Sequence, residues 1–252
     1  MFTRATASLS FGAAALLTAL LLTGCAGGVA ATRSPLPHPQ TRTTSPAPTP
    51  TPPAAPASIG TSATAIPAQV AVYGSPDGAV TETLANPQPS GAPLTFLVAS
   101  TQGAWLQVDL AQRPNGSTGW VKADGVTLHS LVYSLHASTE QNTLTLLKNG
   151  TPVKTYTAAT GTGGTPTPHG SFYITELLQP TNDGYGPYAF GLSAFSDVLS
   201  SFGGGPGQIG LHGTNDAGSI GHSASHGCIR LANPDITELA TLLPLGTPIT
   251  IN

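Results

Sequence analysis

Charge is scarce in this chain: Asp, Glu, Lys and Arg make up 8% of its 252 residues, with a formal balance of −3. A nucleic-acid surface needs a dense cationic footprint, so that class of partner is set aside. Cysteine is scarcer, and its two residues, Cys25 and Cys228, leave room for one disulfide at most. Apolar runs of bilayer length are missing: Leu9 to Thr23 falls short of the roughly 20 residues a spanning helix needs. With 30 Gly and 24 Pro, a helix-rich architecture is not expected. The composition is that of a loop-rich, mainly β chain with a disordered stretch, long enough for one or two packed domains.

Arg4, the short apolar run and Leu22-Thr23-Gly24-Cys25 have the layout of a signal peptide. The last four residues resemble a bacterial lipobox, which is cleaved before its cysteine. The resemblance implies that residues 1–24 are removed and that Cys25 becomes a lipidated N-terminus. Its two acyl chains suffice for stable anchoring in a membrane. A plain secretory signal or an uncleaved anchor is the alternative. With Cys25 lipidated, Cys228 is unpaired.

Residues 25–65 read as a disordered tether, rich in Pro, Thr, Ser and Ala, with nine prolines from Pro35 to Pro56. Such a segment buries too little surface to offset its ordering entropy, and its prolines keep it extended. His38 within it is incidental. From Ile66 to Leu128 the pattern changes to short β-type runs such as Val70–Tyr73, Leu94–Val98 and Ala104–Leu110, separated by turn clusters including Arg113-Pro114-Asn115-Gly116. The Trp105-Leu106-Gln107-Val108 and Gly119-Trp120-Val121 pieces look similar to bacterial SH3-like domains. Tyr73, Trp105 and Trp120 could contact wall glycan or peptide; the reading we favour makes Trp105 and Trp120 core aromatics of a small barrel.

Residues 129–252 suit a second, larger β domain. Asn149-Gly150 between two alternating runs predicts a hairpin with a type I′ turn, Pro152 placing the second strand on an edge. Strands are expected at Ser171–Thr175, Gln208–Leu211 and Thr247–Ile251. Asn233 reads as an N-cap followed by Pro234 at the first helical position. Ile236, Leu239, Ala240 and Leu243 then give one amphipathic helix ending before Pro244.

The segment from Ile209 to Arg230 gathers three histidines and Cys228 in 22 residues, and it reads as an active site. A free thiol is only a few per cent ionised at neutral pH, so a nucleophilic cysteine needs a base beside it. His212 lies at the end of an apolar strand, 16 residues before Cys228, far enough for one chain reversal to bring it back. His226, two residues before, shares a face with Cys228 if the segment is extended. Three ligands, His212, His226 and Cys228, also make a conceivable zinc set, but no carboxylate base or His-Glu-x-x-His spacing accompanies them.

His212-Gly213-Thr214, a spacer, and Ser225-His226-Gly227-Cys228-Ile229-Arg230 resemble the signature of the L,D-transpeptidases of the YkuD type. The Thr-Pro segment from Thr162 to Ile174 is similar to that family's Thr-Pro-x-Gly-x-Phe, and the resemblance covers residues 131 to 252. It implies a β-sandwich catalytic domain and no cofactor. It also implies that Cys228 is the nucleophile and His212 the base, oriented by the backbone carbonyl of Gly213. His226, Gly227 and Ser225 complete the pocket, with the N–H groups of Gly227 and Cys228 as oxyanion donors. Arg230 either anchors a stem-peptide carboxylate or braces the loop; His222 and His169 read as loop residues. The implied reaction joins two peptidoglycan stem peptides through a thioester, forming 3→3 cross-links, and implied inhibitors are β-lactams of the penem and carbapenem type. The loop from Asn182 to Phe190 reads either as a lid or as a segment whose Tyr185, Tyr188 and Phe190 are ordinary packing. The expected location is outside the cytoplasm, lipid-anchored and facing the cell wall. An L,D-carboxypeptidase or other wall cysteine hydrolase, and a non-catalytic wall-binding lipoprotein, are the rival readings.

Overall fold

The computed structural model describes residues 58–202 and 204–252. The expected signal peptide, Cys25 and most of the expected tether lie outside the described residues.

The first sheet is built from short strands broken by Gly, Pro and Asn, residues that end a strand by positive φ or a missing N–H. They are β1 (Gly60–Ala65), β2 (Gln69–Tyr73), β3 (Val80–Ala85), β4 (Thr95–Gln102), β5 (Trp105–Asp109), β6 (Thr118–Lys122) and β7 (Val126–Leu131). Their order across the sheet is β3-β2-β6-β5-β4-β1-β7, with every pairing antiparallel. Alternation sends Val70, Val72, Phe96, Leu106, Val108 and Val121 into an aliphatic core. Two boundaries differ from expectation. β1 lies inside the segment read as tether, because Ala63 and Ala65 are buried and the strand pairs with both β4 and β7. Residues 129–131 belong to this first sheet rather than the second, as the end of β7.

Trp105 and Trp120 are not members of that core. Leu106 and Val121 point inward, so their neighbours Trp105 and Trp120 take the other face. There Trp105 is buried edge-on against Tyr73, with ring centroids 4.8 Å apart, and Trp120 is half-buried.

The second sheet comprises β8 (Tyr133–Ser138), β9 (Thr143–Lys148), β10 (Thr151–Thr157), β12 (Gly170–Leu178), β13 (Ala189–Phe195), β14 (Gln208–His212), β16 (Ile229–Arg230) and β17 (Pro248–Ile251). Their order is β10-β9-β8-β17-β12-β13-β14-β16, and β11 (Thr160–Gly161) pairs separately with β15 (Ser223–Ser225). One continuous cluster from Leu135 and Leu144 through Phe172, Phe190 and Ile209 to Ile251 is shared by the two halves of the sheet, as in a β-sandwich. Mainly β is therefore the fold class, with one α-helix among the described residues.

The Asn149-Gly150 hairpin forms as expected, with φ of +50° and +76° at the two turn residues. β10 is the edge strand, bulged just after Pro152. Helix α1 spans Asn233–Leu242, with Ala232 rather than Asn233 at its cap position. Ile236 and Leu239 are fully buried in the second core, each contributing roughly 1.5–3 kcal/mol. The Asn233 side chain is committed elsewhere: its Oδ1 accepts the N–H of Thr214 at 2.9 Å, tying the helix to the loop after His212.

Candidate active site

β14 and β16 run parallel, with Leu211 opposite Ile229 and His212 opposite Arg230. This pairing closes the spacer and brings His212 back beside Cys228. Gly210 has no side chain to separate them. A Cβ there would sit 3.4 Å from His212 Cδ2 and 3.7 Å from Cys228 Sγ, and the Gly210 N–H donates to that sulfur at 3.3 Å. Imidazole and thiol therefore share the open face of one glycine.

His212 is 3% exposed. Its Nδ1 lies 2.6 Å from the carbonyl oxygen of Gly213. A carbonyl only accepts, so Nδ1 carries the proton and Nε2 keeps its lone pair. Burial lowers the His212 pKa to about 4; the Gly213 carbonyl opposes the shift and the charge of Arg230 adds to it. Burial pushes the Cys228 thiol up, against the Gly210 N–H and Arg230, which favour the thiolate. The resting pair is thus neutral thiol and neutral imidazole.

The extended segment that would put His226 on the face of Cys228 does not form. Gly227 has φ +120°, and the exposed His226 ring stacks on Phe202 with centroids 5.1 Å apart. Ser225, 1% exposed, braces the turn: its Oγ donates to the Cys228 carbonyl at 2.5 Å and accepts the Gly227 N–H at 3.0 Å. That corrects the expected oxyanion pair. The Gly227 N–H is already spent on Ser225, while the Cys228 N–H has no protein partner among the described residues. Arg230 is half-buried and its Nε is buried without a partner. His222 is exposed and His169 bonds Thr139, so neither joins the site. Among the described residues no three His, Cys, Asp or Glu side chains converge as metal ligands.

Cys228 opens on both sides. A cleft of about 470 Å³ runs over Gly191 and Gly210 toward Glu176, and a smaller one of about 160 Å³ lies between Tyr185, His212, His226 and Arg230. Of the expected lid aromatics, Tyr185 lines both cavities, its ring centroid 4.5 Å from that of His212. Phe190 is fully buried on β13 at the wall of the larger cleft, and Tyr188 packs on the core.

Phe202 was not legible as a site residue. It sits in the Gly-rich connection after β13, with no motif to mark it, yet it borders both cavities. That connection is held from the first sheet. Arg113 donates to the carbonyls of Ser196, Leu199 and Pro206, each at 2.8 Å. Asn115 exchanges two hydrogen bonds with the Phe195 backbone, at 2.8 and 2.9 Å.

Residues 132–251 match the L,D-transpeptidase catalytic domain family, YkuD. The chain is 38% identical over 124 residues to YkuD of Bacillus subtilis (strain 168), an alignment covering 49% of this chain and 68% of that protein. YkuD of Bacillus licheniformis is 37% identical over 122 residues, covering 48% and 67%. Among solved structures, an L,D-transpeptidase from Mycobacterium smegmatis is similar at 19% identity and a TM-score of 0.40, over 62% of this chain and 82% of that one. L,D-transpeptidase 3 from Mycobacterium tuberculosis, solved with a faropenem-derived adduct, is similar at 17% identity and a TM-score of 0.41, over 56% and 76%.

Proposed function

Because this chain belongs to the YkuD family of L,D-transpeptidase catalytic domains, we propose that it cross-links peptidoglycan stem peptides by acyl transfer through Cys228. The observation that carries the proposal is the shared face of Gly210: a lone-pair-bearing imidazole and a thiol meet there, beside a cleft large enough for a peptide.

Sγ of Cys228 attacks the carbonyl carbon of the third stem residue while its proton passes to His212 Nε2. The oxyanion forms against the free Cys228 N–H. D-alanine then leaves with the proton returned by His212, and a thioester remains. The side-chain amine of a second stem attacks that thioester, loses a proton to His212 and expels the cysteine, giving a 3→3 link. Water in place of the amine gives the carboxypeptidase product. Arg230 suits the leaving D-alanine carboxylate, since its side chain borders the smaller cavity. Penems and carbapenems acylate the same sulfur in this reading.

The remaining assignments extend the proposal. The first sheet acts as an SH3-like module, and lipidation at Cys25 holds the protein at the outer face of the cell membrane, facing the wall. Incubation of purified protein with disaccharide-tetrapeptides, followed by mass spectrometry, tests the chemistry. A Cys228 adduct and joined stems are expected, both lost in Cys228→Ala. Adduct formation that ends only in hydrolysed tripeptide identifies a carboxypeptidase, and no adduct at all rejects the thioester.

A further inference from the structure

The larger cleft holds one charged side chain, Glu176, and its carboxylate has no hydrogen-bond or ion-pair partner among the described residues. Its position follows from the sheet. In the β12–β13 ladder Glu176 stands opposite Gly191, and in the β13–β14 ladder Gly191 stands opposite Gly210. Directly opposed residues face the same side. A Cβ at Gly191 would lie 2.6 Å from Glu176 Oε1 and 2.7 Å from its Cγ, so the glutamate is folded over that glycine. A β-bulge between Ile174 and Glu176 sets this aim, as bulges commonly do beside active sites. The cleft floor is thus a glycine row with a carboxylate at one end and Cys228 Sγ at the other.

We propose that Glu176 binds the side-chain ammonium of the diamino acid in the donor stem, selecting stems in which that amine is free. The proposal rests on the stem-peptide reading above. An otherwise uncharged cleft that leaves one carboxylate unpaired is complementary to a single cation. Length selects which cation. Opposed glycines would carry Cβ atoms about 5 Å apart, and with Oε1 2.6 Å from one and Sγ 3.7 Å from the other, the carboxylate and the sulfur are at most about 11 Å apart. An amine arm of lysine length extends about 7 Å from its own carbonyl carbon, and with a contact of about 3 Å at each end it reaches far enough to cover that separation without being fully extended. The attacking amine of the acceptor must instead come within about 3 Å of the thioester carbon, out of reach of Glu176.

The test is a two-by-two binding measurement on the inert Cys228→Ala protein, with and without Glu176→Gln. Its ligands are a disaccharide-tetrapeptide with a free side-chain amine and the same compound acetylated at that amine. Glu176→Gln should weaken the free-amine ligand about tenfold and leave the acetylated one unchanged, and acetylation alone should cost the same factor. The difference should shrink in high salt. Where binding is too weak to titrate, the acylation rates of the two ligands on Cys228-containing protein give the same selectivity ratio. Equal effects on both ligands, or none, overturn the assignment. Unchanged donor selectivity with the thioester diverted from cross-linking to hydrolysis would move Glu176 to the acceptor and also overturn it. Because binding is read on a protein that cannot react, the selectivity stands or falls separately from whether Cys228 forms a thioester.

Discussion

His212 has its character set by burial and by one carbonyl. Its Nδ1–H is committed to Gly213 O, and burial with Arg230 nearby brings its pKa down to about 4. A group whose pKa is lowered in the folded protein is already deprotonated above that value. In the proposed reaction the base is therefore ready throughout the mildly acidic and neutral range, and the raised thiol pKa keeps Cys228 protonated until His212 takes its proton. The second-order acylation rate should hold constant from pH 8 down to about 5 and fall to half near pH 4. Stopped-flow acylation would show this. A half-maximum near 6.5 would mean an ordinary exposed histidine, and the buried neutral pair would have to be abandoned.

At the scale of elements, the loop carrying Tyr185 and the loop following His212 meet backbone to backbone. Gly186 has φ +64°, and a Cβ there would lie 2.3 Å from Asn233 Oδ1 and 2.7 Å from Gly213 Cα. Helix α1, through Asn233, and the loop carrying Tyr185 therefore both bear on Gly213, whose carbonyl holds His212. Gly186→Ala combines backbone strain of about 1–2 kcal/mol with that clash. Acylation should fall more than about tenfold while circular dichroism still reports the folded sheets. Unaltered acylation kinetics in this variant would show that the Tyr185 loop and the His212 loop move independently.

Taken whole, the molecule has two cores joined by polar bonds that end near the cleft. Tyr173 Oη donates to the Asp109 carbonyl at 3.1 Å, and Gln88 Nε2 to the Thr175 carbonyl at 3.0 Å, one residue before Glu176. Arg113 and Asn115 hold the connection that carries Phe202 and Pro206, two residues of the cleft wall. The part of the chain that carries the first sheet thus buttresses the candidate active site. Arg113→Ala should speed amide hydrogen exchange within residues 196–207 and raise the KM for a stem peptide, with little change in melting temperature. Exchange in that connection identical to the parent protein would refute the coupling.

Much of this was legible in the order of residues, because the relevant signals are local. A nucleophile and a spaced base, an Asn-Gly turn, and an i, i+3, i+4, i+7 apolar stripe are each encoded within a few residues by side-chain chemistry or backbone φ. The mainly β class and the Cys228–His212 pairing were reached on those grounds together with the family signature. What the tertiary structure alone decided depends on residues far apart in the chain. Whether the Gly227 N–H is free depends on Ser225 and the course of the turn. Glu176 matters only through its opposition to Gly191 and Gly210 across three strands. Arg113 reaches carbonyls more than 80 residues away. Strand register sets those partnerships, and register is decided by the packing of whole sheets rather than by any short stretch of sequence.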